Sequence, residues 1–171
     1  MKADLLVTAV YQHPRERVWA ALTSSAALAE WFMPNDFQPE VGRDFTFRTD
    51  PAPGFDGIVR CRVLGMEPPD RMVWSWAGGP IETTVTFTLE DLGEGRTRLR
   101  VHQLGFHGLR AQLTRLILQS GAARIYGERL PAYLDELAGR PARPVEVACA
   151  KGWRAYLGIL RPWRTAGGQG G

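Results

Sequence analysis

Residues 13–31 read HPRERVWAALTSSAALAEW and residues 41–47 read VGRDFTF, and together they decide the fold class. Pro14 suits the first turn of a helix, where its missing N–H would lack a partner in any case. Val18, Trp19 and Leu22 then share one helical face. Thr23-Ser24-Ser25 turns the chain into a second short helix, with Leu28, Trp31 and Phe32 on its apolar face, and Pro34-Asn35-Asp36 ends it. From Val41 onward the apolar period drops to two, the mark of a strand.

On the N-terminal side of this stretch, residues 5–11 (LLVTAVY) are β-formers, with Leu5, Val7, Ala9 and Tyr11 on one face. On the C-terminal side the alternation continues through Phe45 and Phe47, through Val59, Cys61 and Val63, and through Met72, Trp74 and Trp76. Thr83, Val85, Phe87 and Leu89 follow, then Leu99, Val101 and Gln103. Arg98, Arg100 and His102 lie on the opposite face of that last strand and are expected to meet solvent. The turns at 66–71, 78–80 and 90–95 are rich in proline or glycine, and two adjacent prolines cannot sit inside a central ladder. Six strands joined mostly by short turns predict an antiparallel sheet.

Residues 108–138 return to helical spacing, with Leu109, Leu113, Leu116, Ser120, Ala123, Gly127, Leu130, Leu134 and Leu137 in one stripe. The inward face of the sheet is the surface large enough to partner it. Pro131 cannot donate to the carbonyl of Gly127, which predicts a kink or break between the two. Ser120, Gly121, Ala122, Ala123 and Gly127 make the stripe thin at its centre, so the helix there either approaches the sheet closely or leaves a hollow. The expected architecture is α+β: a six-stranded antiparallel sheet against a long C-terminal helix, with two short helices after the first strand.

A chain of 171 residues suits one domain with a single core, assigned to 1–139, followed by a basic extension over 140–171. The extension carries six basic residues against Glu146, a net charge of +5. The other 15 basic and 17 acidic residues leave the body at −2. The high isoelectric point therefore belongs to the extension, and nucleic acid is not expected as a partner of the body. Within the extension Trp153, Tyr156, Leu157 and Leu160 share a helical face. That face suits a membrane surface, a second protomer in a homodimer, or the chain's own domain, and residues 167–171 are expected to be disordered. Cys61 and Cys149 form no disulfide framework or zinc motif. The N-terminus has no signal-peptide core and no stretch reaches the length of a membrane span, so the expected compartment is the cytoplasm.

The segments PRERVWAALT (14–23), EWF (30–32), GIVRCRVLGMEPPDRMVWSW (57–76), TVTFTLED (84–91) and GRTRLRV (95–101), in this order, resemble the homologues of the activator of heat-shock-protein-90 ATPase. These belong to the helix-grip superfamily (START-like and Bet v-like, also called SRPBCC), which includes lipid-transfer domains, aromatic polyketide cyclases and plant pathogenesis-related allergens. The resemblance covers residues 3 to about 138. It implies a curved sheet wrapped around the long helix with an apolar cavity between them. It does not imply a shared reaction, because one scaffold hosts many functions. Two positions depart from the family pattern. Gln103 stands before Leu104-Gly105-Phe106 where many relatives carry His or Glu, and Gly127 precedes Glu128 where many carry a Gly-Trp pair. An amide is no general base.

The sequence shows no phosphate loop, serine-nucleophile motif or metal-ligand spacing, so no catalytic residue, metal or cofactor is expected. The candidates for contact with a ligand are Trp31, Phe45, Phe47, Trp74, Trp76, Phe87, Gln103, Phe106, His107, Arg124 and Tyr126. The aromatic residues supply apolar wall. Gln103, pointing inward, needs a partner or a polar ligand group, His107 lies where the last strand meets the helix, and Arg124 suits an anionic head group. The reading is a domain that binds a small hydrophobic or amphipathic ligand. A cyclase- or dehydratase-type enzyme in the same cavity and a chaperone-interacting module remain alternatives.

Overall fold

Pro14 occupies the N-cap of α1 (Arg15–Leu22), and Ser24 that of α2 (Ser25–Trp31), where its hydroxyl accepts the Ala27 N–H at 3.3 Å. The structure is a computed structural model and describes residues 3–149. The expectations for segment 152–163 and for residues 167–171 lie outside the described residues. Both helices follow β1 (Ala3–Tyr11) and precede β2 (Asp44–Arg48), β3 (Ile58–Glu67), β4 (Arg71–Gly78), β5 (Ile81–Gly93) and β6 (Arg96–Phe106). All neighbours pair antiparallel. Shifts of register between Val63 and Gly65 and between Asp91 and Gly93 add bend to the sheet.

The sheet has seven strands rather than six, in the order β2-β3-β4-β5-β6-β1-β7. The added strand, β7 (Val147–Cys149), pairs with the free edge of β1, Val7 opposite Cys149 and Ala9 opposite Val147. Three residues downstream of Pro141 and Pro144 are too few to show a period, which is why the sequence pattern missed them. The alternating faces otherwise fall as expected, and Val85, Phe87, Leu89, Leu99 and Val101 are all buried. Arg98 and Arg100 share Glu90 on the other face. His102 departs from expectation: it is on that same face yet only 4% exposed, with Asp4 at 3.8 Å.

The C-terminal helical stretch runs for 30 residues, as α3 (Gly108–Arg124), a π-helical turn (Ile125–Arg129) and α4 (Leu130–Leu137). The π turn falls where Pro131 forbids the regular ladder, and the Leu130 N–H reaches back to the Ile125 carbonyl. A π turn takes one extra residue. The helix ahead of it is therefore rotated by one position, roughly 100° at 3.6 residues per turn. Ala111, Ala122 and Tyr126 now continue the buried face of Leu130 and Leu134, while Leu109, Leu113 and Leu116, expected against the sheet, are exposed, Leu109 at 78%. Leu137, at the far end of the stripe, is also exposed, because the helix ends there and the chain turns away at Gly139.

The Gly127 carbonyl released by Pro131 accepts the Val145 N–H at 2.8 Å, so the kink becomes the docking point of the C-terminal segment. A Cβ on Gly127 would lie 2.9 Å from the Val145 carbonyl oxygen and 3.0 Å from Val147 Cγ2. In an open helix Gly→Ala stabilises by about 1 kcal/mol. Here Gly127→Ala is expected to reverse that sign and destabilise by about 1–3 kcal/mol through overpacking, measurable by chemical denaturation. An unchanged or raised midpoint would mean that the segment does not seat against the helix in solution.

Polar groups complete this latch. His13, 2% exposed, donates from Nε2 to Asp135 Oδ1 at 2.7 Å, and Asp135 Oδ2 accepts the Arg143 N–H at 3.0 Å. Thr97 donates its hydroxyl to the His13 carbonyl at 2.7 Å. Burial alone would raise the Asp135 carboxyl. The Arg143 amide, the His13 ring through its hydrogen bond and its electrostatic attraction, and the Arg140 charge outweigh it and hold the group below its ordinary value. A carboxylate depressed in the folded state adds stability above its unfolded value, and that stability is lost as pH falls through the folded value. Asp135→Asn is therefore expected to be less stable than the parent at pH 6. The gap should narrow as pH falls through and below the ordinary carboxylate range, as followed by urea denaturation across pH.

Candidate functional site

The rotation of α3 opens a groove between its inward flank and the far end of the sheet. Arg110, Leu113, Thr114, Ile117 and Leu118 line it from the helix. Met33, Phe55, Val59, Trp76 and the turn Gly78-Gly79-Pro80-Ile81 line it from the other side. Its volume is about 720 Å³, within the range of small-molecule sites. Phe55 reaches the rim because the loop after β2 folds back on itself, with the Thr49 N–H on the Gly57 carbonyl and residues Ala52 and Phe55 bridged. Its ring packs against the β4–β5 turn, where a Cβ on Gly78 would stand 3.3 Å from Phe55 Cε2 and where Gly79 has φ +55°. A side chain at Gly78 would crowd the ring, and one at Gly79 would be strained by its backbone conformation.

Below the groove lies an aromatic floor. Trp74 has Phe87 at 4.6 Å, Phe45 at 5.2 Å, Phe37 and Phe47 at 5.6 Å between ring centroids, and Phe47 is 5.6 Å from Trp76. Trp31 donates its indole N–H to the Ala21 carbonyl at 2.9 Å and stands 5.9 Å from the Tyr126 ring. Tyr126 in turn accepts the Tyr11 hydroxyl at its carbonyl, and burial raises the phenols of both tyrosines above their ordinary value.

Of the residues expected from the sequence to meet a ligand, Trp76 opens onto this groove. Trp31, Phe45, Phe47, Trp74, Phe87, Phe106 and Tyr126 are buried beneath or beside it. Gln103 points inward as expected and donates to Thr83 Oγ1 at 2.7 Å, and Thr83 donates to the Trp76 carbonyl at 3.4 Å. The amide is thus tied to the strand that carries the groove's Trp76. His107 is exposed at the N-cap of α3, and Arg124 borders a separate shallow hollow with Glu128 and Arg129 on the outer side of the helix. Leu113 belongs to the inward stripe, whereas Arg110 and Ile117 fall outside it because a uniform helical period puts α3 in the wrong rotation, and Phe55 lies in an irregular loop that carries no period. Pro131 marks a break in the helix, but a break read along the chain does not specify the rotation it causes.

Among the described residues the one ionisable side chain lining the groove is Arg110. Cys61 lies elsewhere in the core. Burial pushes its thiol up to about 12, with Asp36 adding to the shift, so it stays protonated at neutral pH. No three His, Cys, Asp or Glu residues among those described gather as a metal site, and no described helix is long and apolar enough to cross a membrane.

The family model described as activator of Hsp90 ATPase homolog 1-like protein matches residues 12–135. Among solved structures, a Mesorhizobium loti protein is 30% identical, with 80% of this chain and 97% of that chain covered at a TM-score of 0.62. A protein of the dynemicin biosynthetic locus is 26% identical over 82% of this chain and 49% of its own, at a TM-score of 0.64. An HSP90 activator from Plasmodium falciparum shares the fold at 16% identity, covering 81% and 97%, with a TM-score of 0.58. No curated protein matches the sequence significantly.

Proposed function

The chain belongs to the activator of Hsp90 ATPase homolog 1-like family, and we propose that it binds a small, largely apolar molecule with one anionic end in the groove between α3 and the β4–β5 turn. The observation that carries this reading is the groove's lining: Leu113, Ile117, Leu118, Val59, Phe55 and Trp76 supply apolar wall, and Arg110 supplies a single positive charge. Burying a ligand's apolar surface there releases roughly 25 cal/mol per Å², and a guanidinium can meet a carboxylate or sulfonate through paired N–H donors. Among the described residues the lining holds no carboxylate, imidazole or thiol to accept a proton, which favours binding over turnover.

A titration with 1-anilinonaphthalene-8-sulfonate, an aromatic anion of suitable size, tests the proposal. A single saturable site, weakened several-fold in Arg110→Gln, is the expected result, as is added mass on the native protein that disappears on denaturation. Weak, unsaturable dye binding together with an unliganded native mass would overturn it.

A second reading, an enzyme that acts by confining its substrate, draws on the likeness to the protein of the dynemicin biosynthetic locus. Under that reading Gln103→Leu abolishes turnover. Under the binding reading the substitution leaves ligand affinity intact and costs about 1 kcal/mol of stability for the lost hydrogen bond to Thr83.

A further inference from the structure

We propose that the C-terminal latch encloses a second binding site, for a small oxyanion of the phosphate class, built from Arg17, Arg140, Arg143 and the buried ring of His13. A pocket of about 230 Å³ lies between the end of β1 and the segment after α4, lined in part by Gln12, His13, Asp135, Arg140 and Arg143, and Arg17 on α1 stands beside it across the His13 ring. A water molecule's share of liquid volume is about 30 Å³, so the pocket has room for a tetrahedral oxyanion and a few waters.

The charges in this pocket are unbalanced. Arg140 Nη2 lies 3.2 Å and Arg17 Nη1 3.4 Å from the same atom, His13 Nδ1. Both neighbours of Nδ1 are pure donors, so Nδ1 carries the lone pair and Nε2 carries the proton given to Asp135. One lone pair serves two guanidinium groups, which repel each other across it. Arg140 makes one further bond, to the Gln12 carbonyl at 3.0 Å, and each guanidinium has five N–H donors. Among the described residues no carboxylate lies within ion-pair distance of Arg17, Arg140 or Arg143. Asp135 faces the pocket, but its two oxygens are engaged by the His13 Nε2–H and the Arg143 N–H. Two guanidinium groups on one lone pair, with the neighbouring carboxylate already engaged, leave the site positively charged. An oxyanion between Arg17 and Arg140 removes the repulsion, takes up free donors on both, and ties α1 to the C-terminal segment.

The test is a titration of inorganic phosphate at constant ionic strength, with chloride as the compensating ion, followed by thermal unfolding and by calorimetry. A saturable rise in Tm and measurable heat are expected for the parent protein. Arg17→Gln should weaken binding about tenfold or more, the scale of one charge-assisted hydrogen bond. That variant leaves the bonds of residues 140–145 untouched, so a loss of phosphate binding cannot come from unlatching. Arg140→Gln should lose binding as well, and Arg98→Gln, whose partner is Glu90, should not. Competition with glycerol phosphate separates the two sources of this chemistry: exclusion of the ester identifies free phosphate, and tighter binding of the ester identifies the phosphomonoester end of a larger molecule. A Tm that follows ionic strength alone, or an Arg17→Gln protein that binds phosphate like the parent, would overturn the proposal.

Discussion

Trp74→Ala is expected to destabilise the protein by about 3–5 kcal/mol, the range for truncating a buried aromatic side chain. Folded domains are held by only about 5–15 kcal/mol, so this one change removes a large share of the stability. Trp74 is 1% exposed and sits at the centre of the aromatic floor, in contact with Phe37, Phe45, Phe47 and Phe87. Four rigid rings cannot collapse into the space an indole leaves, so the cavity cost adds to the lost transfer energy. Trp74→Phe provides the contrast. The Trp74 indole N–H has no hydrogen-bond partner, unlike that of Trp31, so phenylalanine removes an unsatisfied donor worth about 1–3 kcal/mol while keeping most of the ring. Urea midpoints for the two variants should differ widely, with Trp74→Phe near the parent. Equal losses would show that indole volume rather than the aromatic contacts sets the cost.

Ile117→Asp should abolish ligand binding without unfolding the protein. Ile117 is 69% exposed and lines the groove from α3. Exposed substitutions stay within about 0.5 kcal/mol of the parent, so the fold should hold. Seating an apolar ligand against the new carboxylate would strip it of water with no cation placed to receive it, since Arg110 lies two turns away along the helix. A loss of roughly a hundredfold in affinity for 1-anilinonaphthalene-8-sulfonate follows, at about 1.4 kcal/mol per decade. Leu116→Asp adds the same charge to the same helix at an exposed position outside the groove and should leave affinity unchanged. Equal effects from the two variants would mean that the dye reads the general charge of α3 rather than the groove.

The strands and the two short helices were legible because each obeys a local rule. Phe45 and Phe47, Val59 to Val63, and Met72 to Trp76 alternate with period two wherever one face of the sheet is buried, and Pro14 and Ser24 mark helix starts by their own chemistry. Gln103 was legible as an inward amide, though its partner was not. Thr83 lies 20 residues away in the chain and meets Gln103 through the pairing of β5 with β6. His13 gave no local sign of its role either. Asp135 is 122 residues distant, and the two meet because α4 packs against α1.

The sequence by itself determined the element order, the inward face of each strand and the break at Pro131, since these follow from residue shape and short-range periodicity. Tertiary structure decided where the groove lies. The π turn before Pro131 rotates α3 by one residue, and the Gly127 carbonyl it frees is taken by Val145. That rotation turns Leu109 and Leu116 outward, brings Arg110 and Ile117 to face Phe55 and Trp76, and leaves Leu113 on the groove's edge between them. A helical period read along the chain carries no memory of an inserted residue in the backbone ladder. The rotation is fixed only when the buried face of α4 and the C-terminal strand are both seated.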